Sequence, residues 1–574
     1  MDSQFITRPI IAGIHGVATS SHYLATLAGI NILQKGGNAF DAAAAIGLSL
    51  AVLEPHMNGL GGEVPILLYS SRDDEVVAVS GQGTAPSRAN IDWFTSHGFS
   101  LIPGSGLLPG VVPSMVSTLI EVLKRYGTMT FSDVAFFSIE LAQEGFPMYY
   151  ALKHYIEEYK WLLNYWKTSE KVFLIDGRIP EEGEIFAQPQ LAKTLKLIAE
   201  AEKRKSNRED GLEEARKVFY EGEIAKKIDE FVSKPVRDEE GNEFAGFLSY
   251  DDLANYTPKF EKPLKVNFND YTVFKCSTWT QGGVFLQMLN ILSDFDLRNY
   301  KLNSSDYIHL LVEAFKLVFY DREKYYGDPE FDEVPINWLL SEGHAKELRN
   351  SIDMEKASNV PIIEPSSKGS IFASKQGDTT HFDVIDRWGN MVSATQSGGW
   401  FWSSPIVSDL GFSLSTRGQM FYLDKKRNNC LQPRKRPRTT LTPTLVFKDD
   451  KPYMVFGTPG GDMQDQWNLQ FFLNHVVFGM NIQEAIESPS FHTLHYPSSF
   501  YPRKAERMKV VIEGRIERKV VEELKGKGHI IEMTGDWRNG RVTCALRDIK
   551  RGVLMASASP KYDKGGPLAY AMGW

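Results

Sequence analysis

Apolar residues recur three and four positions apart through much of the chain up to about residue 375. Residues 23–35, 39–53, 114–125, 131–144 and 304–325 all show that spacing, which predicts helices with a buried stripe. Pro113 stands where a proline suits the start of the third. Residues 42–53 are almost wholly apolar and are bracketed by Asp41 and Glu54. A run that short does not span a bilayer, so a buried helix is expected. Residues 199–217, with Lys203-Arg204-Lys205 and Arg208-Glu209-Asp210, are expected to form a solvated helix and loop.

The pattern then changes. Residues 352–376 lose helical spacing and gain Pro361, Pro365, Ser366-Ser367 and Gly369, which is loop composition. A polar Gly377-Asp378 break follows, then a strand-like run from Thr379 to Asp386, a Gly389-Asn390 turn and a second strand-like run from Met391 to Ser397. That is a hairpin pattern. Residues 443–447 and 452–457 flank Lys448-Asp449-Asp450-Lys451 as a second hairpin, and residues 510–513 and 529–533 are further strand candidates. No internal repeat is evident.

Two adjacent threonines stand at the entrance of the first hairpin, Thr379 and Thr380. An ordinary Thr-Thr pair is simply β-branched strand sequence. A threonine at the head of a buried strand becomes a strong nucleophile, however, if the peptide bond before it is cut. The freed α-amine titrates at about 7.7–8.0 and lies beside its own hydroxyl, where it serves as general base. A loop-like stretch directly before the Asp378–Thr379 bond is what self-processing needs.

Composition narrows the classes. The chain of 574 residues is long enough for a large core, and 42% hydrophobic with 24% charged residues is ordinary for a globular protein. A net charge of −8 argues against a nucleic-acid partner. Arg434, Lys435, Arg436 and Arg438 form a local basic cluster; a solvated loop is its plain reading and is expected at least for Arg434. Cys276, Cys430 and Cys544 are too few and too scattered for a disulfide framework or a zinc site. Met1 to Pro9 lack a basic start and an apolar core, so no secretory signal is read and a cytoplasmic protein without a membrane partner is expected.

Several motifs, in order, carry a resemblance. His15-Gly16-Val17-Ala18 leads to Gln34-Lys35-Gly36-Gly37-Asn38-Ala39-Phe40-Asp41 and to Gly59-Leu60-Gly61-Gly62. Arg125-Tyr126-Gly127-Thr128-Met129, Gln281-Gly282-Gly283, Asp321-Arg322 and Tyr326-Gly327-Asp328-Pro329 follow. After Thr379-Thr380-His381 come Lys435-Arg436-Pro437, Leu441-Thr442-Pro443-Thr444 and Gly457-Thr458-Pro459-Gly460-Gly461. Together they cover most of the chain, which resembles the γ-glutamyltranspeptidase family of N-terminal-nucleophile hydrolases. The resemblance implies an α+β fold, a four-layer αββα sandwich. It also implies a precursor that cuts itself into a large subunit (residues 1–378) and a small subunit (379–574), one combined globular unit that can associate further. It implies no cofactor and no metal.

The family's site maps onto this chain residue by residue. Thr379 takes the nucleophile's place, and the Asp378–Thr379 bond is the implied cleavage point. Ser397 stands where the family has a threonine bonded to the nucleophile; a plain polar strand residue is the alternative. Gly460 and Gly461 take the oxyanion site, since adjacent glycines let backbone N–H groups approach a substrate closely. A plain glycine turn is the alternative, and a phosphate loop fits worse because the P-loop lysine and spacing are missing. His381 shares the Thr379 face of its strand and reads as structural.

The substrate clamp departs from the pattern. The family's arginine position falls at Gln82, which cannot pair bidentately with a carboxylate. Its asparagine falls at Gly399 and its acidic residue at Tyr422, while Gln419 is kept and a serine pair becomes Thr439-Thr440. Trp400-Phe401-Trp402 and Phe421-Tyr422 are either an aromatic pocket wall or core. The expectation is a self-processing threonine amidohydrolase or acyltransferase for γ-glutamyl or related small amides. Acyl chemistry like that of cephalosporin acylases or oxamate amidohydrolases, or a binding protein that lost turnover, are the alternatives.

Overall fold

A computed structural model describes residues 6–363, 378–562 and 569–574. The expected αββα sandwich is there, built on two seven-stranded antiparallel sheets. The first runs in the order Tyr570–Gly573, Gly16–Ser20, Thr379–Asp386, Met391–Ser397, Ile66–Ser70, Glu75–Val79, Phe260–Glu261. The second runs Ile11–Gly13, Val553–Ala558, Thr543–Asp548, Lys451–Gly457, Thr444–Lys448, Tyr271–Lys275, Leu264–Phe268. Segments from both sides of Thr379 therefore contribute strands to each sheet.

Period-two alternation sorts the residues of the Thr379 strand. Ile385 joins Val17, Leu67 and Met391 in the layer between the sheets, facing Leu445, Val455 and Ala545. Phe382 and Val384 point the other way, into the core shared with the helices Tyr23–Gln34, Ala39–Leu53 and Met115–Tyr126. On the outer face of the second sheet lie the helices Gly283–Leu292, Ser305–Tyr325 and Gln464–Val476. The helix Ala39–Leu53 is buried on every side, as its unbroken apolar run requires, and a capping box between Asn38 and Asp41 starts it.

Several expectations need correction. The first part of the chain is not merely helical: Ile66–Ser70 is a central strand buried on both faces, which hides the alternation, and Glu75–Val79 beside it is buried from Val77 to Val79. Residues 199–217 divide between the helices Pro189–Glu202 and Arg208–Tyr220, and the second buries Leu212, Ala215 and Phe219. Residues 203–207, Glu209 and Asp210 are solvated as expected. The basic cluster is also mostly internal. Arg434 is exposed, but Lys435 pairs with Asp332 at 2.7 Å, Arg436 with Asp328 at 2.6 Å and Arg438 with Glu323 at 2.6 Å. Lys509–Ile512 and Ile530–Met533 pair in a separate small sheet with Phe491–Thr493. Residues 352–363 hold no helix or strand; the rest of the expected loop, 364–376, lies outside the described residues, as do Gly377 and residues 1–5 of the leading segment. The three cysteines are free and buried. Among the described residues, no helix is long and apolar enough to cross a membrane.

Candidate active site

The hairpin register sets Thr379 directly opposite Ser397, and their hydroxyl oxygens lie 3.2 Å apart. Asp378 directly precedes Thr379, so its carbonyl is the one that would be attacked in a cut before Thr379. That carbonyl oxygen accepts from Ser397 Oγ at 2.8 Å and from Trp400 Nε1 at 2.9 Å. Trp400 reaches it because Gly398 and Gly399, both at positive φ, turn the chain after Ser397. The turn nests against Gly62, where an added Cβ would lie 2.3 Å from the Ser397 carbonyl oxygen. This explains the glycines of the Gly59–Gly62 motif.

A buried ion pair backs the serine. Arg417 Nη2 donates to Ser397 Oγ at 2.6 Å while its Nε donates to Glu63 Oε1 at 2.6 Å, and Ser415 Oγ donates to the other Glu63 oxygen at 2.6 Å. Burial pushes the Glu63 carboxyl up, and the Arg417 charge opposes that shift. Because Ser397 Oγ accepts from a guanidinium, its single proton is left for the Asp378 carbonyl or for Thr379. Arg417 also lies over the rings of Trp400 at 5.0 Å and Phe500 at 5.6 Å.

The Asp378 side chain has its own cradle. One carboxylate oxygen accepts from Arg541 Nη2 and from the Thr379 N–H, both at 3.0 Å, and the other accepts from the Tyr155 hydroxyl. Burial pushes this carboxyl up, but Arg541 and Tyr155 outweigh it and hold the group below the usual carboxylate range. His56 lies against Tyr155 with ring centroids 4.7 Å apart, and burial keeps it neutral, pushed down to about 3. On the opposite strand face, Thr380 Oγ1 bonds Ser21 Oγ, which bonds Glu54. Burial pushes the Glu54 carboxyl up to about 7.

Gly460 and Gly461 adopt φ of 126° and 56°, conformations that favour glycine. A Cβ on Gly460 would meet Trp467 at 2.2 Å, and one on Gly461 would meet Phe500 at 3.0 Å. Phe500, near Trp400 and Arg417, thus links this loop to the Ser397 side of the site. Asp462 anchors the loop by accepting from Arg322, from Ser499 N at 2.8 Å and from Ser499 Oγ at 2.6 Å.

The expected substrate positions are committed elsewhere. Gln419 donates to the Thr416 carbonyl at 3.1 Å and accepts from Tyr501 N at 3.1 Å, tying two loops together. The Tyr422 ring is sandwiched between Arg427 and Arg503, each 3.9 Å from its centroid, and its hydroxyl donates to Glu323. Burial opposes ionisation of Glu323, but Arg438 and Arg322 bring it down to about 2. Thr439 N donates to the Trp279 carbonyl at 2.8 Å, and Thr440 Oγ1 is buried without a partner among the described residues. Gln82 lines a cleft of about 170 Å³ with Asp328, Glu330, Arg434 and Arg436, and donates to the Gly83 carbonyl at 3.3 Å. Among the described residues, the side chains of these five do not hydrogen-bond Thr379. Of the aromatic run, Trp400 touches the Asp378 carbonyl, whereas Phe401 packs against Phe173 at 4.3 Å in the core.

His381, read as structural, bonds Thr395 Oγ1 at 2.9 Å and Asp383 Oδ1 at 3.0 Å. One metal-like grouping escaped the sequence reading: His309 and Glu313, four apart on a helix, meet His529. The Lys316 ammonium already neutralises Glu313 at 2.6 Å there. Sequence reading also missed Glu63, Arg417, Tyr155 and Arg541. Glu63 follows the Gly59–Gly62 motif directly, the one local signal among them.

Two facing antiparallel sheets between helical layers, with a threonine at the head of a central strand, define an N-terminal-nucleophile hydrolase. The chain belongs to the gamma-glutamyltranspeptidase family, which matches residues 25–569. It is an enzyme of that family, a self-processing threonine amidohydrolase. It is 33% identical over 557 residues to the glutathione hydrolase-like YwrD proenzyme of Bacillus subtilis (strain 168), covering 96% of this chain and 98% of that one. Among solved structures, LmbA2991HD matches with a TM-score of 0.93 at 38% identity over 100% of both chains. The cephalosporin acylase from Bacillus halodurans matches with a TM-score of 0.85 at 28% identity over 100% of this chain and 99% of that one.

Proposed function

We propose that Thr379 is the nucleophile of both self-cleavage and turnover, and that Asp378–Thr379 is the bond cut. The observation that carries this is the Asp378 carbonyl oxygen held by Ser397 Oγ and Trp400 Nε1, two donors already aimed where negative charge would develop. In the first step Thr379 Oγ adds to the Asp378 carbonyl carbon, the C–N bond breaks and the hydroxyl proton passes to the nitrogen. Water then opens the ester, leaving the Asp378 carboxylate and a free Thr379 hydroxyl. Ser397 and Trp400 serve this step; the Gly460–Gly461 loop serves the oxyanion of the later substrate. The small subunit then carries its own base, the Thr379 amine.

The substrates are small amides whose acyl group passes through an ester on Thr379. Tyr422 between two arginines favours acyl groups other than γ-glutamyl. A substrate ammonium would meet cations where the family supplies an acid, so glutathione is a poor substrate. Intact mass and N-terminal sequencing test the processing: two chains are expected, the smaller beginning at Thr379. A single chain of 574 residues overturns it.

A further inference from the structure

We propose that Ser397 relays the protons of self-cleavage, and that Arg417 and Glu63 are the positioning residues that direct the relay, so that the precursor needs no separate base. This rests on the assignment of Thr379 as nucleophile. The uncut chain has no free amine at Thr379, yet the hydroxyl must give up a proton as it attacks. Among the described residues, Ser397 Oγ is the one side-chain partner of that hydroxyl, at 3.2 Å. The nearby carboxylates are engaged elsewhere: Asp378 accepts from Arg541, Tyr155 and the Thr379 N–H, and Glu54 serves the opposite face of the strand.

A hydroxyl has one proton and two lone pairs, and Ser397 meets a partner for each. Arg417 Nη2, at 2.6 Å, can only donate and does not lose its proton, so it fills one lone pair. The Ser397 proton then goes to the Asp378 carbonyl oxygen at 2.8 Å, the nearer of its two acceptors. The second lone pair is left for the Thr379 hydroxyl. Three oxygens thus form a directed chain, from Thr379 through Ser397 to the carbonyl. The guanidinium charge beside Ser397 Oγ also makes that hydroxyl the better proton donor.

Glu63 sets the serine and the guanidinium together. Its carboxylate accepts from Arg417 Nε at 2.6 Å, and its main chain exchanges two hydrogen bonds with Ser397, both at 2.9 Å. The carboxylate fills the space beside Gly398, where an added Cβ would lie 2.5 Å from both oxygens. The Arg417 and Glu63 side chains are 0% and 1% exposed. An enclosed ion pair adds little stability over apolar groups of the same volume, so its place against the reacting serine points to chemistry.

In the step itself, Thr379 Oγ bonds to the Asp378 carbonyl carbon while its proton moves to Ser397 Oγ and the Ser397 proton moves to the carbonyl oxygen. As the C–N bond breaks, Ser397 passes the proton it took to the nitrogen and recovers the other as the carbonyl re-forms. The ester remains and Ser397 is unchanged.

Precursor made by cell-free translation is followed on denaturing gels, with hydroxylamine present so that opening of the ester does not set the rate. Protons moving at two sites together make the wild-type rate a curved function of the deuterium fraction of the solvent, and a linear dependence overturns the relay. Arg417→Gln should slow cleavage by about tenfold to a hundredfold. In a Ser397→Ala chain the same change should add about twofold at most, because Arg417 acts through the serine. Equal slowing in both backgrounds overturns the relay. Arg417→Gln alone strands a buried carboxylate, so Glu63→Gln with Arg417→Gln, which removes both charges, is put through the same comparison. Either negative result with wild-type cleavage before Thr379 overturns the relay alone. A Thr379→Ala chain that is still cut there overturns the nucleophile with it.

Discussion

The two flanks of Thr379 were built for different ends. On the Asp378 flank, Ser397, Trp400, Arg541 and Tyr155 all bond the atoms around the bond to be cut. On the flank where the family grips an amino acid, Gln419, Tyr422 and Thr439 bond other protein groups, and Tyr422 closes an internal Arg–Tyr–Arg stack over Glu323. One flank is poised for chemistry and the other has been consumed by the fold. The machinery for making and opening an ester is thus separable from the device that chooses the acyl group.

The sharpest way to break this contrast is Thr379→Ala, which should leave the chain uncut and abolish amide turnover. Any protein of that variant carrying a new terminus at residue 379 on sequencing would defeat the assignment. Next in size, Trp400→Phe keeps an aromatic ring and deletes one donor to the Asp378 carbonyl, so self-cleavage should slow by about 10²–10³. The half-life of the precursor on denaturing gels measures this, and a wild-type half-life would mean that the indole only packs.

The rear of the Thr379 strand sharpens the picture further. The Glu54 carboxyl, ordinarily at 4.5, is pushed up to about 7 by burial. Between those values the folded protein keeps a proton that the unfolded chain has lost, so stability falls as pH rises from about 4.5 to about 7. A displacement of that size is worth on the order of 3 kcal/mol. Glu54→Gln should therefore gain on wild type between about pH 5 and about pH 8 in chemical denaturation; an equal gap at both pH values would refute it. Tyr422→Phe should do least. Loss of the hydrogen bond to Glu323 lowers stability by about 1–3 kcal/mol in the same assay while the chain still processes itself, and impaired processing would place Tyr422 on the chemical flank after all.

The chemical flank was the more legible of the two in the sequence. Thr379, Ser397, Gly460 and Gly461 need particular residue types at strand heads and tight turns, so local pattern and resemblance both point to them. Arg417, Glu63, Tyr155 and Arg541 reach the site from separate segments, and no spacing along the chain announces such a meeting. The missing clamp was also readable at Gln82 and Tyr422, but not its replacement, because an arginine on each face of Tyr422 comes from loops 5 and 81 residues downstream. The central strand Ile66–Ser70 went unread for a different reason: burial on both faces erases the alternation that marks a strand.

The weave of the first sheet has a consequence for the life of the protein. In it Gly16–Ser20 is clasped between Tyr570–Gly573 and Thr379–Asp386, strands that a cut before Thr379 would assign to another polypeptide. Before the cut, assembly is a unimolecular event whose outcome does not depend on dilution. Afterwards neither piece retains a complete sheet, and recovery from unfolding becomes a bimolecular encounter that weakens as concentration falls. Maturation thereby converts a protein that can refold into one that persists chiefly because it unfolds slowly.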